Sequence, residues 1–415
     1  MHNLLRSYVF ILAIQFTLLP QQVQAQDEGF IYGKVTTEDG DEFIGAIRWG
    51  KEEVYWTDMF NARKTDNKNI DYLSRNERDE LRYRGRRRGD WDDRISSWII
   101  ANWDDGERSF LHQFSVQFGE IKTIRLFRGD EADIELKDGT RVAVDGSGYN
   151  DVGTKIKVLD AEIGEIDLSW SRVEHIEFMP TPKVLEEKFG EPLYGTVDSE
   201  IGEFTGYIQW DHDERVSKDV LDGDTYDGDV SIAFGKIKSI TNDGSRSDVV
   251  LQSGRELTLR GSNDVNYENR GIIVTVEGVG RVDIPWKEFN KVTFKEVKNS
   301  GRGYDDFKAP NSLEAKVVTR NGTLKGRIVY DLDEELDIEI LEGKDDRSEY
   351  SIPFGNISKI TPRGYQRSEV ELKNGRKLML EESQDVSEDN TGLLVYEGKD
   401  PKYVPWEDIE EIIFN

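Results

Sequence analysis

Five of the seven residues from Arg82 to Arg88, in the stretch RYRGRRRGDWDDR, are arginine. Guanidinium groups this close repel one another unless anions lie between them, and their planar forks suit carboxylates and phosphates. Two partners fit. Asp90, Asp92 and Asp93 follow directly and can neutralise the run from within, as can the acidic β units nearby. Otherwise Arg82, Arg84, Arg86, Arg87 and Arg88 grip an external acidic partner. The setting is unusual, because residues 57–102 hold 11 Lys/Arg and 9 Asp/Glu inside a chain of net charge −28.

Other chemistry-bearing residues are sparse or scattered. Cysteine is absent, so thiol nucleophiles, thiolate metal sites and disulfides are excluded. His2, His112, His175 and His212 have no partner at metal-ligand spacing such as HxH or HExxH. There is no G-x-S-x-G elbow and no G-x-x-x-x-G-K-[S/T] phosphate loop. Asp and Glu number 83, too many for spacing alone to single out an acid–base pair. The chain reads as non-catalytic and without a cofactor.

DGDTYDGD, Asp222 to Asp229, invites a calcium reading. An EF-hand loop starting there needs an oxygen ligand at its fifth position, Gly at its sixth and Glu at its twelfth. Those places hold Tyr226, Asp227 and Ala233. The stretch reads as a solvated acidic hairpin loop, with an irregular Ca²⁺ site as the alternative. Arg88-Gly89-Asp90 and Arg128-Gly129-Asp130 spell RGD, a coincidence expected in a chain rich in all three residues. Trp49, Trp210 and Tyr330 each end a G-x-I-x-W/Y stretch or its near equivalent. They are assigned to core packing, with a stacking platform for sugar or peptide as the alternative.

The elements that position these residues repeat. SVQFGEIKTI from Ser115 returns as SIAFGKIKSI from Ser231 and SIPFGNISKI from Ser351. Trp170, Trp286 and Trp406 are 116 and 120 residues apart, and Phe178, Phe294 and Phe414 keep the same separations. Three tandem units follow. A finer period of 52 residues maps Val116, Phe118, Ile121 and Ile124 onto Leu168, Trp170, Val173 and Ile176. The same offset recurs in the other two units, so each unit is two half-repeats of about that length. Within a half, apolar residues two apart indicate a strand, and the change to three apart indicates a 3₁₀ turn before the next strand. Asp138-Gly139 and Asn374-Gly375 sit between alternating runs as hairpin turns. Asn150-Asp151-Val152, Asn263-Asp264-Val265 and Gln384-Asp385-Val386 also recur and read as structural turns.

Strand, NG-type hairpin, strand, 3₁₀ turn and closing strand, as in VPWEDIEEIIF, resemble the SH3-like and Sm-like small β-barrels. The resemblance implies an all-β fold of three tandem units, each a pair of such barrels. It carries no functional residue across.

The organisation then reads as a signal peptide at 1–25, β unit 1 at 26–180, β unit 2 at 191–296 and β unit 3 at 312–415. Arg6, the apolar run Val9–Leu19 and the small-residue site Val23-Gln24-Ala25 form the leader pattern. Met179–Gly190 and Lys295–Asn311 are the linkers; NSGRGYDD in the second reads as flexible or turn-rich. Trp49 to Ser115 spans 66 residues against 21 for Trp210 to Ser231, so unit 1 carries an insertion, placed at about 57–101. Ser74 and Glu77 have capping-box spacing for a short helix within it.

An acidic chain of this kind repels nucleic acid and anionic lipid. With a leader and no cysteine, it fits a bacterial protein of the periplasm or cell surface. The expected role is a non-catalytic interaction or scaffold protein whose partner is an envelope protein or polysaccharide. A polysaccharide- or Ca²⁺-binding protein is the alternative, and a hydrolytic enzyme comes third.

Overall fold

The computed structural model describes residues 26–88, 113–127, 129–297 and 299–415. The expected leader lies outside the described residues. The described residues are all-β, with thirty strands and one α-helix among them. None of the described helices is long and apolar enough to cross a membrane.

Strands are numbered in chain order. Unit 1 contains β1 (Tyr32–Thr37), β2 (Glu42–Trp49), β3 (Met59–Lys64), β4 (Gln113–Gln117), β5 (Ile121–Leu126), β6 (Glu131–Leu136), β7 (Arg141–Asp145), β8 (Ile156–Asp160), β9 (Gly164–Leu168) and β10 (Val173–Phe178). The same set recurs as β11–β20 over Tyr194–Phe294 and as β21–β30 over Glu314–Phe414. Where the apolar interval changes from two to three, a 3₁₀ turn stands: Phe118–Glu120 joins β4 to β5, and Trp170–Arg172 joins β9 to β10. The turn lets Val116, Phe118, Ile121 and Ile124 all point inward, and each is fully buried.

Each half-repeat reads in the sequence as one small barrel packed on its partner, but the halves exchange hairpins instead of keeping their own strands. In unit 1 the strand order is β4-β3-β7-β6-β5-β10-β1-β2-β8-β9. The first hairpin of one half, β1–β2, pairs with β8 and β10 of the other half. The reverse exchange pairs β6–β7 with β5 and β3. The unit is thus two interleaved groups of five strands. Neither is closed by hydrogen bonds between all its neighbours, because β4 and β5, like β9 and β10, are linked by the 3₁₀ turn instead.

The 52-residue period is a local two-fold. Ile124 pairs with Ile176 where β5 meets β10. Ile240 pairs with Val292 where β15 (Ile237–Asn242) meets β20 (Phe289–Phe294), and Ile360 with Ile412 where β25 (Ile357–Pro362) meets β30 (Ile409–Phe414). Each pair is fully buried, so the residue and its own repeat lie opposite each other at the centre of the unit. Units 2 and 3 join through β19 (Gly280–Ile284) and β24 (Glu349–Pro353), with Val282 opposite Tyr350.

β3 moves the insertion. Met59–Lys64 is the counterpart of β13 (Val220–Thr225), which forms a hairpin with β14 (Gly228–Ala233) across Tyr226-Asp227. The extra chain therefore lies between Lys64 and Gln113, later than 57–101. Its first part is docked on unit 3. Leu73 is buried with Val329, Leu332 and Leu394, Asn69 donates to Glu335 (3.0 Å), and Tyr72 stands edge-on to Tyr396. α1 (Arg75–Arg88) follows, capped as its spacing predicts: Ser74 N–H donates to Glu77 Oε2 (2.6 Å), and Glu77 N–H to Ser74 Oγ (3.3 Å).

The linker between units 2 and 3 is another difference. Instead of hanging free, it is built into unit 1. Tyr304 and Phe307 bury themselves in the unit 1 core. Tyr304 Oη donates to Ile121 O (3.0 Å), and Lys137 Nζ sits 3.5 Å from the Tyr304 ring centroid. Ser300 N–H donates to Gln26 O at 2.9 Å, fastening the start of the described chain to the same linker.

Candidate functional site

Each unit carries one aromatic and three carboxylates at matching places. The aromatics Trp49, Trp210 and Tyr330 are fully buried, as core residues rather than a platform. Trp49 Nε1 donates to Asp151 O (2.8 Å) and Trp210 Nε1 to Asp264 O (3.0 Å); Tyr330 Oη donates to Asp385 O. The recurrent Asp is therefore more than a turn residue. Its carboxylate reaches across to the third strand of the unit, accepting from Asn61 N (2.7 Å), Asp222 N (2.7 Å) or Glu342 N (2.6 Å).

Four residues after each aromatic stands Glu53, Glu214 or Glu334, bridged back to the aromatic's backbone. Desolvation, followed by the nearby Asp151, pushes Glu53 well above the ordinary carboxylate range. Desolvation and then Asp264 push Glu214 up to about 8. Glu334 is likewise well raised, by desolvation and then Asp333. Asp151 and Asp264 are raised to about 7 and about 6, chiefly by desolvation. Two carboxyls brought together out of water favour the protonated form, because neither charge is solvated and each repels the other.

The third carboxylate is a joint between units. Asp58 Oδ2 accepts from Val54 N and Tyr55 N, while Oδ1 binds the buried Arg215 of unit 2. Asp219 Oδ2 accepts from Arg215 N and Val216 N, while Oδ1 lies 2.7 Å from Arg48 Nη1 of unit 1. Glu339 Oε2 accepts from Glu335 N and Leu336 N, while Oε1 lies 2.7 Å from Lys64 Nζ of unit 1. In every unit the carboxylate both shapes its own loop and holds a cation from a different unit; in unit 2 Arg48 reaches both oxygens of Asp219.

The units differ where two loops meet beside the buried acids. In unit 2 Asp211 (φ 46°) accepts from Asn263 and from Arg270 N–H (2.6 Å), and Arg270 Nη2 lies 2.9 Å from Asp213. In unit 3 Asp331 (φ 49°) accepts from Gln384 Nε2 (2.8 Å) and Thr391 Oγ1 (2.7 Å). Unit 1 has Gly50 (φ 58°) at that place, which takes the left-handed backbone without strain but offers no carboxylate. Its second loop is also shorter. Ile156 stands five positions after Asp151, whereas Ile272 and Leu393 stand eight positions after Asp264 and Asp385. What remains is a cleft of about 380 Å³ with Glu52, Glu53 and Asp151 in its wall and Lys51, Lys155 and Lys157 around it.

The sequence candidates fall elsewhere. Arg82, Arg84, Arg86, Arg87 and Arg88 lie on α1, and their side chains lie outside the described residues, as do His2 and His112. Gly89 and Asp90 of the first RGD and Arg128 of the second are also outside them. His175 is on β10, and His212 Nε2 lies 3.0 Å from Asp283. Asp222 of the acidic hairpin is already occupied by Ser231 Oγ. Among the described residues no group of three His, Cys, Asp or Glu side chains is placed to hold a metal ion. The buried acids were hidden by the abundance of carboxylates. Their signal was the repeat register: Glu53, Glu214 and Glu334 each follow the aromatic by four residues, and Asp58, Asp219 and Glu339 follow by nine.

No protein family, curated protein or solved structure matches the chain.

Proposed function

We propose that the protein is an exported, non-catalytic scaffold of the bacterial cell envelope. Each five-strand group is a small barrel of the SH3/Sm-like kind, two to a unit, and α1 offers its arginine run to an acidic protein or polysaccharide. The observation that carries this reading is the seating of the insertion. It leaves unit 1 at a hairpin tip, is pinned to unit 3 through Leu73 and Asn69, and only then enters the basic helix. Loops mounted on a fixed β frame are suited to recognition. The frame is fixed by the three inter-unit ion pairs and by the linker built into unit 1. Small-ligand binding is the second reading, favoured by the cleft of unit 1.

The test uses the chain from Gln26 with all five arginines changed to Ser. Immobilised poly-L-glutamate stands for an acidic protein and alginate for an acidic polysaccharide. Wild type is expected to be retained on at least one of them and released by salt, as for exposed charges. The variant should pass through while melting close to wild type. Equal retention of the two proteins, or a large loss of stability in the variant, overturns the proposal.

A further inference from the structure

Units 2 and 3 serve as internal controls for the cleft of unit 1. In both, the seam between the two loops is filled by the chain itself. Unit 2 fills it with a guanidinium: Arg270 reaches from the longer loop, its Nε 3.5 Å from Asp211 and its Nη2 2.9 Å from Asp213. Unit 1 lacks the three residues that would supply such a side chain, and Gly50 replaces the carboxylate that anchors the loop. Glu52, the counterpart of Asp213, accepts a single hydrogen bond among the described residues, from Asn150 Nδ2 at 3.2 Å, while Arg270, Arg281 and His212 of unit 2 act on it from a distance.

The acids at this seam are under-used. Glu53 is 5% exposed and its carboxylate has no hydrogen-bond or ion-pair partner among the described residues; Oε2 of its counterparts Glu214 and Glu334 is unpartnered too, and what sets Glu53 apart is the cleft that it lines. Arg281 of unit 2 is near enough to influence Glu52, Glu53 and Asp151, but its Nη2 donates to Gln209 Oε1. Two of the three lysines are committed: Lys51 lies 3.8 Å from Asp213, and Lys157 lies 2.9 Å from Glu165. Lys155 has no side-chain partner among the described residues. A cation entering the cleft meets Glu52 and Glu53, and an anion attached to it meets Lys155. The volume is in the range of small-molecule sites.

We infer that the unit 1 cleft is a binding site for a guanidinium-bearing ligand of amino-acid size, whose cation lies against Glu52, the counterpart of the Asp213 that Arg270 holds in unit 2, and reaches on to Glu53 in the cleft wall. The ligand's guanidinium pairs with Glu52 and with Glu53, whose proton passes to water as the cation enters, and a carboxylate on the same ligand pairs with Lys155. This inference goes beyond the scaffold reading and does not rest on it, because the arginine run plays no part in it.

The experiment is isothermal titration of the chain from Gln26 with L-arginine, agmatine and L-citrulline. Arginine should bind saturably at one site. Citrulline, its uncharged isostere, should not bind. Agmatine, lacking the carboxylate, should bind more weakly than arginine in wild type and as well as arginine in Lys155→Ala. Glu53→Gln should weaken arginine by about tenfold or more, the usual effect of losing one charge-assisted bond. Glu52→Gln, at the half-buried rim, repeats the test where folding is not at stake. Absence of arginine binding at millimolar concentration, equal binding of citrulline, or unchanged affinity in both Glu variants overturns the proposal.

Discussion

Changing Tyr304 to Ala tests whether the three units form one body. Tyr304 lies between units 2 and 3 in sequence but packs in unit 1, where it is 8% exposed. Its ring is 4.7 Å from that of Trp56, its hydroxyl donates to Ile121 O, and Lys137 stands over its face. Truncating a buried aromatic costs roughly 3–5 kcal/mol. Of this, the hydroxyl's bond accounts for about 1 kcal/mol, which Tyr304→Phe isolates. Because the lost contacts tie the linker to unit 1, the damage should appear there first. Trypsin should cut faster at Arg302 and Lys308 in Tyr304→Ala, with little change in Tyr304→Phe, and a urea melt should show the alanine variant unfolding earlier. If the alanine variant melts within a degree of wild type and the linker resists trypsin equally, the linker is a loose tether and the fixed-frame reasoning fails.

Two further outcomes follow from the carboxylates. Glu214, Asp151 and Asp264 have folded-state pKa values raised to about 8, about 7 and about 6. The folded chain therefore holds more protons than the unfolded chain from the ordinary carboxylate range up to about pH 8. Their contribution is full at low pH and is lost as pH rises through that window. Urea midpoints should fall between pH 5.5 and pH 8, and Glu214→Gln should flatten the slope; a slope unchanged in that variant contradicts the assignment. Replacing Arg215 with Met strands the buried Asp58, a loss of roughly 3–5 kcal/mol for a broken buried pair. The double variant with Asp58→Asn should recover part of it, and no recovery in a double-mutant cycle shows that the two do not act together.

The repeat architecture was legible because its residues are doubly constrained. Ile124 and Ile176 must be apolar in their own strands and must also fit each other across the local two-fold. The exchange of hairpins was not legible: β1–β2 has the same alternation whether it pairs with its own half or the other. The start of the insertion was misplaced because Met59–Lys64 carries two charged residues at its end, so its strand character lies in Phe60 and Ala62 alone. Lys64 is charged because it is a joint. Desolvation opposes its charge, but Asp333, Glu339 and Glu334 outweigh that and hold its pKa above the ordinary range. NSGRGYDD has the composition of a loose turn, and composition cannot register that Gly119 leaves space for the Phe307 ring, 2.5 Å from where a side chain would begin. Glu53 was one acid among 83, and its place four residues after Trp49, repeated by Glu214 and Glu334, marks it only once the burial of all three is known.

The docked linker also orders events in time. A chain emerging from its N-terminus presents every strand of unit 1 by Phe178, yet two residues of that unit's core, Tyr304 and Phe307, come more than a hundred positions later. Until they arrive, the ring of Trp56 and the surface over Gly119 are uncovered. Unit 2 must therefore be made, and brought round far enough for its trailing segment to reach back, before unit 1 is finished. Such long-range closure is slow to form and leaves sticky intermediates exposed meanwhile. A nascent chain halted after unit 1 is unfinished in a way that one halted after Phe307 is not.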